Sequence, residues 1–219
     1  LLDLQRIMAN PKTNQNRLSW LHKDAKVSET GDILYFVGCL PYFDVIFKDI
    51  NVKSLETAKS VVRILNKVGI EPVLLKNERC CGHDLYFTGD AEKFEKLAKM
   101  NVAAIRAAKA KKVITSCAEC YRTLKLDYPK IVGDLGFEVI HISEFLADII
   151  EKEQLEFPEV FKDKKVVYHD PCRLGRHMGV YDPPRSVIKN IPETDLLEME
   201  RSRENSLCCG VSAWLNCEK

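Results

Sequence analysis

Apolar residues along the chain fall into short compact runs that are separated by longer amphipathic stretches. Compact apolar runs of this length are typical of buried strands. They predict six strands, the last of them the weakest in pattern, at residues 33–37, 71–75, 112–115, 137–141, 165–169 and 196–199.

Helical periodicity fills most of the intervals between these runs. Leu55, Ala58, Val62 and Leu65 repeat at helical spacing, and Gly69 predicts the end of that helix. A second amphipathic pattern begins at residue 90, and residues 142–153 predict a third helix. Residues 1–30 are polar and predict an approach segment with one short helix.

The alternation of strands and helices predicts the fold class. Such alternation favours an α/β protein with a mainly parallel sheet and helices on both faces. The polar run at residues 151–164, which contains Pro158, predicts a joint between two units. We therefore expect a first unit at 31–155 and a second, incomplete unit at 160–219.

Composition and charge exclude several classes of protein. The 219 residues include 33 Lys and Arg against 32 Asp and Glu, so a net charge of +1 gives no support for a nucleic-acid partner. No apolar run approaches the roughly 18–20 residues that span a bilayer. No signal peptide with a charged start and an apolar stretch opens the chain, and the cysteine usage described next favours a cytoplasmic location.

Cysteine is the unusual component of this composition. An odd number of thiols cannot form a closed set of disulfides, and two Cys-Cys pairs with one Cys-x-x-Cys are typical of ligands that converge on a metal. Redox-active thiols and structural disulfides are the weaker alternatives. The nine cysteines are Cys39, Cys80, Cys81, Cys117, Cys120, Cys172, Cys208, Cys209 and Cys217.

The cysteines also reveal an internal repeat. Cys39 ends an apolar strand, and the sequence Cys-Cys-Gly begins 41 positions later at Cys80; Cys172 follows another such strand, and Cys-Cys-Gly begins 36 positions later at Cys208. The first half continues to Cys117-x-x-Cys120, whereas the same step from Cys209 falls near position 245. With Leu1 rather than Met at the start, these spacings predict a fragment.

The predicted topology places these cysteines together. The carboxyl ends of parallel strands meet at one edge of a sheet, where ligands collect. Ser116 is a candidate N-cap that would put Cys117 and Cys120 in the first turn of a helix, whose N–H groups favour thiolates and negatively charged groups. Gly82 and Gly210 predict a tight turn behind each Cys-Cys pair.

This order of motifs resembles a known family. Cys39, Cys80-Cys81-Gly82 and Cys117-x-x-Cys120, followed by Cys172 and Cys208-Cys209-Gly210, are similar to the paired cysteine-rich CCG domains of the B-type and D-type heterodisulfide reductase chains. The same domains occur in iron-sulfur subunits of glycolate, lactate and glycerol-3-phosphate oxidising complexes. The segment 168–176, Tyr-His-Asp-Pro-Cys-Arg-Leu-Gly-Arg, is most similar to the D type.

The resemblance implies a cofactor and its ligands. It implies two Rossmann-like units that bind [4Fe-4S] clusters, of an unusual non-cubane type in the heterodisulfide reductases, where a disulfide is reduced. The first cluster would be held by Cys39, Cys80, Cys81, Cys117 and Cys120. The matching part of the second site is Cys172, Cys208 and Cys209; its Cys-x-x-Cys is absent, and Cys217 has no counterpart in the motif.

Polar residues beside the cysteines are candidates for catalysis. His83 and His169 could donate protons near a cleaved disulfide, and Arg173 could hold an anionic substrate. The alternative is that these side chains cap helices, pair locally or hydrogen-bond to cluster sulfurs. His141 ends a strand, where a structural role is expected.

Two alternatives remain for the site and its role. Four thiolates suffice for tetrahedral zinc, so a structural zinc module competes with the iron-sulfur cluster. The chain could also pass electrons from a hydroxy-acid dehydrogenase toward a quinone-linked acceptor rather than reduce a disulfide. In either redox role the expected partners are other subunits of a complex: a ferredoxin-like, flavin or membrane-anchor subunit, the last of which would hold the chain at a membrane.

Overall fold

A computed structural model describes residues 2–157 and 164–210 of the chain. Its strands are β1 (Ile33–Phe36), β2 (Lys112–Thr115), β3 (Glu138–His141), β4 (Lys164–Val167) and β5 (Thr194–Leu197). Its α-helices are α1 (Leu2–Met8), α2 (Leu40–Ile46), α3 (Ser54–Lys67), α4 (His83–Thr88), α5 (Ala91–Ala107), α6 (Ala118–Arg122), α7 (Tyr128–Val132), α8 (Ile142–Glu151) and α9 (Asp182–Lys189). Short 3₁₀ turns follow α2 and precede the second Cys-Cys pair, and a π-helical turn joins α6 to α7.

Strands β1, β2 and β3 form a parallel sheet in that order. Ile33 pairs with Lys112, and Lys112 pairs with Glu138, so the three strands begin and end level with one another. The carboxyl ends of all three strands therefore lie along one edge. The predicted α/β class and the parallel pairing are confirmed.

Helices cover both faces of this sheet because its side chains alternate between two apolar cores. Leu34 and Phe36 of β1 belong to a core with α5, whereas Tyr35 belongs to the core that packs on α3 and α8. The helices predicted from residues 55–65, from residue 90 and from residues 142–153 are these three. All contribute fully buried or nearly buried side chains to the sheet.

The predicted strand at residues 71–75 is wrong. Val73 alone makes bridges, with Ser28 and Leu34, and its backbone pairs with Ile33 and Tyr35 on the outer edge of β1. Pro72 faces the other side, where its carbonyl accepts the N–H of Ser28 and where it has no N–H of its own to donate. Two isolated bridges at Val73 replace the strand.

The polar N-terminal residues pack into the first unit. Met8 and Ala9 lie in the core beside α5, and Trp20 lies in the other core beneath α3. The short helix predicted in this segment is α1, whose Gln5 side chain is buried against α4.

Strands β4 and β5 pair in parallel in a second, smaller sheet, with Lys164 opposite Thr194 and Val167 opposite Leu197. Both strands begin one or two residues earlier than predicted. Helix α9 packs on α8 of the first unit. Val167 is 59% exposed, so this sheet has a thinner cover than the first. Residues 158–163 of the predicted joint lie outside the described residues.

Candidate metal centre

Five cysteines lie at the carboxyl edge of the first sheet. Cys39 directly precedes α2, after the end of β1, and Cys80 and Cys81 occupy the loop between Val73 and α4. Cys117 directly precedes α6, after the end of β2, and Cys120 lies in the first turn of that helix. The placement predicted from the strand order is therefore the one observed.

The sulfur atoms of these residues contact one another. The Sγ atoms of Cys39 and Cys80 are 3.1 Å apart, and Cys81 lies within hydrogen-bonding reach of both Cys80 and Cys120. Cys117 Sγ accepts a hydrogen bond from the backbone N–H of Cys120 at 3.4 Å. The result is a continuous group of thiols from three separate loops.

The turn that carries Cys80 and Cys81 depends on Gly82. Its φ of +80° lies in the left-handed region that favours glycine. A Cβ atom there would lie 3.0 Å from Phe94 Cδ2 and 3.1 Å from Leu97 Cδ1, which are core atoms of α5. Only glycine lets this loop turn while it is pressed against the helix.

Cys80 is the sulfur whose thiolate is favoured. The thiols of Cys39 and Cys81 and the N–H of Gly82 donate to it, and these hydrogen bonds lower its pKa well below the ordinary value of a cysteine despite its burial. The hydrogen bond to Cys80, together with burial, raises the pKa of Cys39. One negative charge is thus stabilised at the centre of the group.

The predicted N-cap at Ser116 is wrong by one residue. The N-cap of α6 is Cys117, whose own sulfur accepts the N–H of Cys120. Ser116 Oγ instead hydrogen-bonds to the hydroxyl of Tyr35 at 2.8 Å. The sequence favoured serine because a hydroxyl is the commoner cap.

The donor set fits a sulfur-ligated cofactor of more than one metal atom. Within residues 2–157 and 164–210, no three Cys, His, Asp or Glu side chains are spaced as ligands of one metal ion. Five converging thiols also exceed what one zinc ion requires, whereas iron-sulfur clusters are held by several cysteine thiolates.

The second cysteine group is smaller and more open. Cys172 is half-buried and interacts with Cys208, whereas Cys208 and Cys209 are exposed. Cys208 Sγ accepts the N–H of Gly210 at 3.4 Å. Cys217 lies outside the described residues.

His83 is buried beside the first cysteine group, at the start of α4. Its Nδ1 lies 3.1 Å from Asp84 Oδ1 and 3.8 Å from Glu119 Oε2. Its Nε2 is buried and has no hydrogen-bond partner among the described residues. A side chain that is held at one nitrogen and unsatisfied at the other is suited to meet a group that enters the site.

Arg173 reaches from the second unit to the same region. Its guanidinium lies 3.9 Å from the ring centre of Phe87, and that ring packs against His83 with the ring centres 4.8 Å apart and the planes inclined by 47°. The buried Nε of Arg173 is also unsatisfied within the described part of the chain. His83 and Arg173 are therefore brought together through Phe87.

His169 is placed differently. Its ring is exposed, and Nε2 lies 2.7 Å from the carbonyl oxygen of Leu207, next to the second Cys-Cys pair. Since a carbonyl only accepts, Nε2–H is the donor. The contact holds the loop before Cys208 against the end of β4.

Sequence reasoning missed Glu78 and Glu119 near the cysteines, and it noted Asp170 beside Cys172 without its partner. Glu78 lies two residues before Cys80 and forms a buried ion pair with Arg17. Asp170 lies two residues before Cys172 and receives two hydrogen bonds from Arg185, at 2.7 and 2.8 Å. Glu119 lies inside Cys117-x-x-Cys120, and burial raises its pKa although His83 is close by. Glu78 and Asp170 each lie two residues before a cysteine of a motif, and this shared position was the available signal.

Comparison with known proteins identifies a family whose matched segments contain these cysteine motifs. The model of the CCG family, described as a cysteine-rich domain, matches residues 33–125 and 166–219. The chain belongs to the cysteine-rich CCG domain family. Both matched segments contain one of the two Cys-Cys-Gly turns.

Curated relatives of this CCG protein are redox proteins. The D-type chain of the dihydromethanophenazine:CoB–CoM heterodisulfide reductase of Methanosarcina acetivorans is 43% identical over 202 residues, which are 90% of this chain and 47% of the relative. The probable iron-sulfur-binding oxidoreductase FadF of Bacillus subtilis is 34% identical over 187 residues, 84% of this chain and 25% of the relative. The EtfAB:quinone oxidoreductase of Syntrophomonas wolfei is 34% identical over 188 residues, with the same two shares.

These matches confirm the family resemblance. The chain spans about half the length of the heterodisulfide reductase chains that it matches. Within the described part of this CCG protein, no helix combines the length and the apolar character needed to cross a membrane.

Proposed function

We propose that the chain is part of an iron-sulfur oxidoreductase subunit in which the first cysteine group holds a [4Fe-4S] cluster. The observation that carries the proposal is the convergence of five cysteine sulfurs at one sheet edge, with the Sγ atoms of Cys39 and Cys80 3.1 Å apart. The reductase and oxidoreductase names of the relatives support the same role. A cluster held there would accept and donate single electrons.

The protein residues would bind, orient and exclude water. Cys39, Cys80, Cys81, Cys117 and Cys120 would be the ligands, and the free N–H groups at the start of α6 would favour their negative charge. Burial of Cys80, Cys81 and Cys120 excludes water from the interior side of the site. Cys172, Cys208 and Cys209 would be ligands of a second site.

We propose reduction of a disulfide as the reaction, following the names of the most similar heterodisulfide reductase chains. His83 would supply a proton through Nε2 to a leaving sulfur, because this nitrogen is buried and unsatisfied in the described structure. Arg173 would hold an anionic part of the substrate, since its guanidinium lies in the same region. His169 would support the second cysteine turn through Leu207 rather than the chemistry.

The partners would be further subunits of a redox complex. The names of the relatives include a quinone oxidoreductase and a fumarate reductase component, which supports a ferredoxin-like, flavin or membrane-anchor partner. The chain would then be cytoplasmic and reach a membrane only through such a partner. Electron transfer from a hydroxy-acid dehydrogenase is the second candidate; the heterodisulfide reductase relatives favour the first.

The decisive measurement is the metal content of protein that is purified without oxygen. About four iron and four sulfide per chain with a brown visible spectrum are expected for one cluster. Cys39→Ser should remove most of this iron, whereas Cys209→Ser, at an exposed position of the second group, should retain about four. Stoichiometric zinc without sulfide or colour would contradict the redox role and support a structural zinc module.

A further inference from the structure

The first cysteine group is attached to a buried carboxylate that is not itself a candidate ligand. Glu78 precedes Cys80 by two residues, and its side chain is 2% exposed. Its Oε2 accepts the backbone N–H of Val37 at 3.0 Å, and its Oε1 accepts that of Gly38 at 2.8 Å. Both oxygens thus grip the loop immediately before Cys39.

A buried arginine completes this arrangement. Arg17 Nη2 donates to the carbonyl oxygen of Gly38 at 2.6 Å and to Glu78 Oε1, and the Arg17 side chain is only 3% exposed. Its guanidinium also lies 5.3 Å from the ring centre of Tyr42, whose backbone N–H bonds to the Cys39 carbonyl oxygen. Arg17 therefore holds the next peptide unit, which joins Gly38 to Cys39.

These contacts fix two cysteines relative to each other. Gly38 is bound at both its N–H and its carbonyl, so the position of the next residue, Cys39, follows from Glu78 and Arg17. Gln15 Nε2 donates to the Glu78 carbonyl oxygen at 2.6 Å and holds the chain that leads to Cys80. Burying two charges is costly, and the hydrogen bonds to the backbone around Gly38 offset part of that cost, so the ion pair and the conformation of the loop before Cys39 depend on each other.

We propose that Arg17 and Glu78 are positioning residues of the metal centre: they set the separation of Cys39 and Cys80 and, as buried charges bound to the loop before Cys39, they adjust the redox behaviour of the cofactor. The second statement rests on the proposed function, whereas the first concerns the protein with or without metal. Residues 15–17 of the N-terminal segment thereby become part of the site. Partners that orient ligands typically change metal affinity by roughly 10–100-fold when they are removed.

The first test uses metal-free protein. In Glu78→Gln an amide replaces the carboxylate, and its –NH₂ group cannot accept a hydrogen bond. Hydrogen exchange at the Val37 and Gly38 amides should become at least about tenfold faster. The matched control is Glu144→Gln, since Glu144 Oε2 likewise accepts a backbone N–H, that of His141 at the end of β3, at 2.8 Å. Wild-type exchange in Glu78→Gln would overturn the positioning role.

The second test uses the cluster-loaded protein. Iron loss to a chelator should be roughly 10–100-fold faster in Glu78→Gln and in Arg17→Met than in Glu144→Gln. The midpoint potential should rise in Glu78→Gln and fall in Arg17→Met, because a nearby negative charge opposes reduction and a positive one favours it. Arg17→Lys keeps the charge and should keep the potential closer to that of the wild type.

The outcomes separate the two proposals. If both variants lower the melting temperature but leave iron loss and potential at the level of Glu144→Gln, the pair is merely structural and the inference is overturned. If the wild type takes up no iron, the proposed function fails, while the exchange rates of Val37 and Gly38 still decide whether Glu78 positions the loop before Cys39.

Discussion

The two Cys-Cys-Gly turns have the same local shape in very different surroundings. In each turn the sulfur of the first cysteine, Cys80 or Cys208, accepts the glycine N–H at 3.4 Å, and in each the glycine φ is +80°. Cys80 is 1% exposed beneath α4 and α5, whereas Cys208 is exposed. The turn is therefore set by its own three residues, and enclosure is set by the elements that are packed around it.

The anchoring of the two turns is also parallel. Glu78 ties the first turn to the N–H of Val37, two residues before Cys39; Ser206 Oγ ties the second to the carbonyl of Asp170, two residues before Cys172, at 3.0 Å. In both units a buried residue two positions before the Cys-Cys pair thus holds the loop of the distant cysteine. The difference is that a buried ion pair provides the anchor in the first unit and a hydroxyl group in the second.

The largest effect is expected from Asp170→Asn. Asp170 is 1% exposed; although burial opposes its charge, hydrogen bonds from Arg185 and the Arg203 N–H hold its pKa below the ordinary value. Removal of one partner from a buried pair should cost the second unit about 4 kcal/mol of unfolding free energy. Hydrogen exchange at the backbone amides of residues 164–206 measures this loss of unfolding free energy.

Asp182→Asn is the matched control for this change. Asp182 pairs with Arg203 in the same unit but is 80% exposed, so its loss should cost less than about 0.5 kcal/mol. Equal exchange rates in the two variants would show that Asp170 does not anchor the second unit.

Alanine substitution at the two turn glycines tests whether enclosure makes the first turn less tolerant of a side chain than the second. Gly82→Ala adds a Cβ 3.0 Å from Phe94 at a left-handed φ and should cost about 3 kcal/mol in chemical denaturation. Gly210→Ala has the same φ, but no described atom lies within 4 Å of its new Cβ, so about 1 kcal/mol is expected. Similar costs at both positions would mean that enclosure does not distinguish the turns.

Thiol reactivity tests the same difference without substitution. In metal-free protein, Cys208 and Cys209 should react with iodoacetamide about 100-fold faster than Cys80 and Cys81, because the buried pair must wait for local opening. Peptide mass spectrometry after timed quenching measures the four rates. Rapid labelling of Cys80 would contradict the enclosed first site.

The smallest effect on stability is expected when the pH is lowered. Burial lowers the pKa of His141 to about 4, and its Nδ1 accepts the N–H of Ser143 at the start of α8. Because the unfolded chain binds the proton more readily, this contribution to stability is complete above about pH 6.5 and is lost as the pH falls toward 4.

The expected loss over that range is about 2 kcal/mol, measured as the midpoint of urea unfolding at several pH values. His141→Asn keeps a good N-cap without the titration, so its stability should vary less between pH 6.5 and 4. If the stability of His141→Asn depends on pH as strongly as that of the wild type, groups other than His141 cause the acid effect.

The sequence predicted what local pattern and spacing control. The apolar run at 112–115 matches β2 residue for residue, and the placement of Cys39 and Cys117 at one edge followed from the order of β1 and β2. The failures were long-range. Arg17 and Glu78 meet across 61 positions, and no local pattern marks Arg17 as a buried side chain.

Two other predictions were wrong in local detail: a strand and a helix N-cap. The apolar run at residues 71–75 forms only isolated bridges at Val73, and a cysteine took the N-cap position where a serine was expected. Both reflect a tertiary contact or a special residue that outweighs the average preference. His83 and Arg173 were recognisable beside their cysteines, but their meeting through Phe87 required the packing of two units.

The pairing of Arg17 with Glu78 also bears on the order in which the protein is made. The five cysteines of the first group span Cys39 to Cys120, so 81 further positions must follow Cys39 out of the ribosome before the last thiol is available. Cys39 can be anchored earlier, once Glu78 has emerged and paired with Arg17. Synthesis from the N-terminus would thus assemble the pocket in stages, with the side that carries Cys39 and Cys80 in place before α6 closes it.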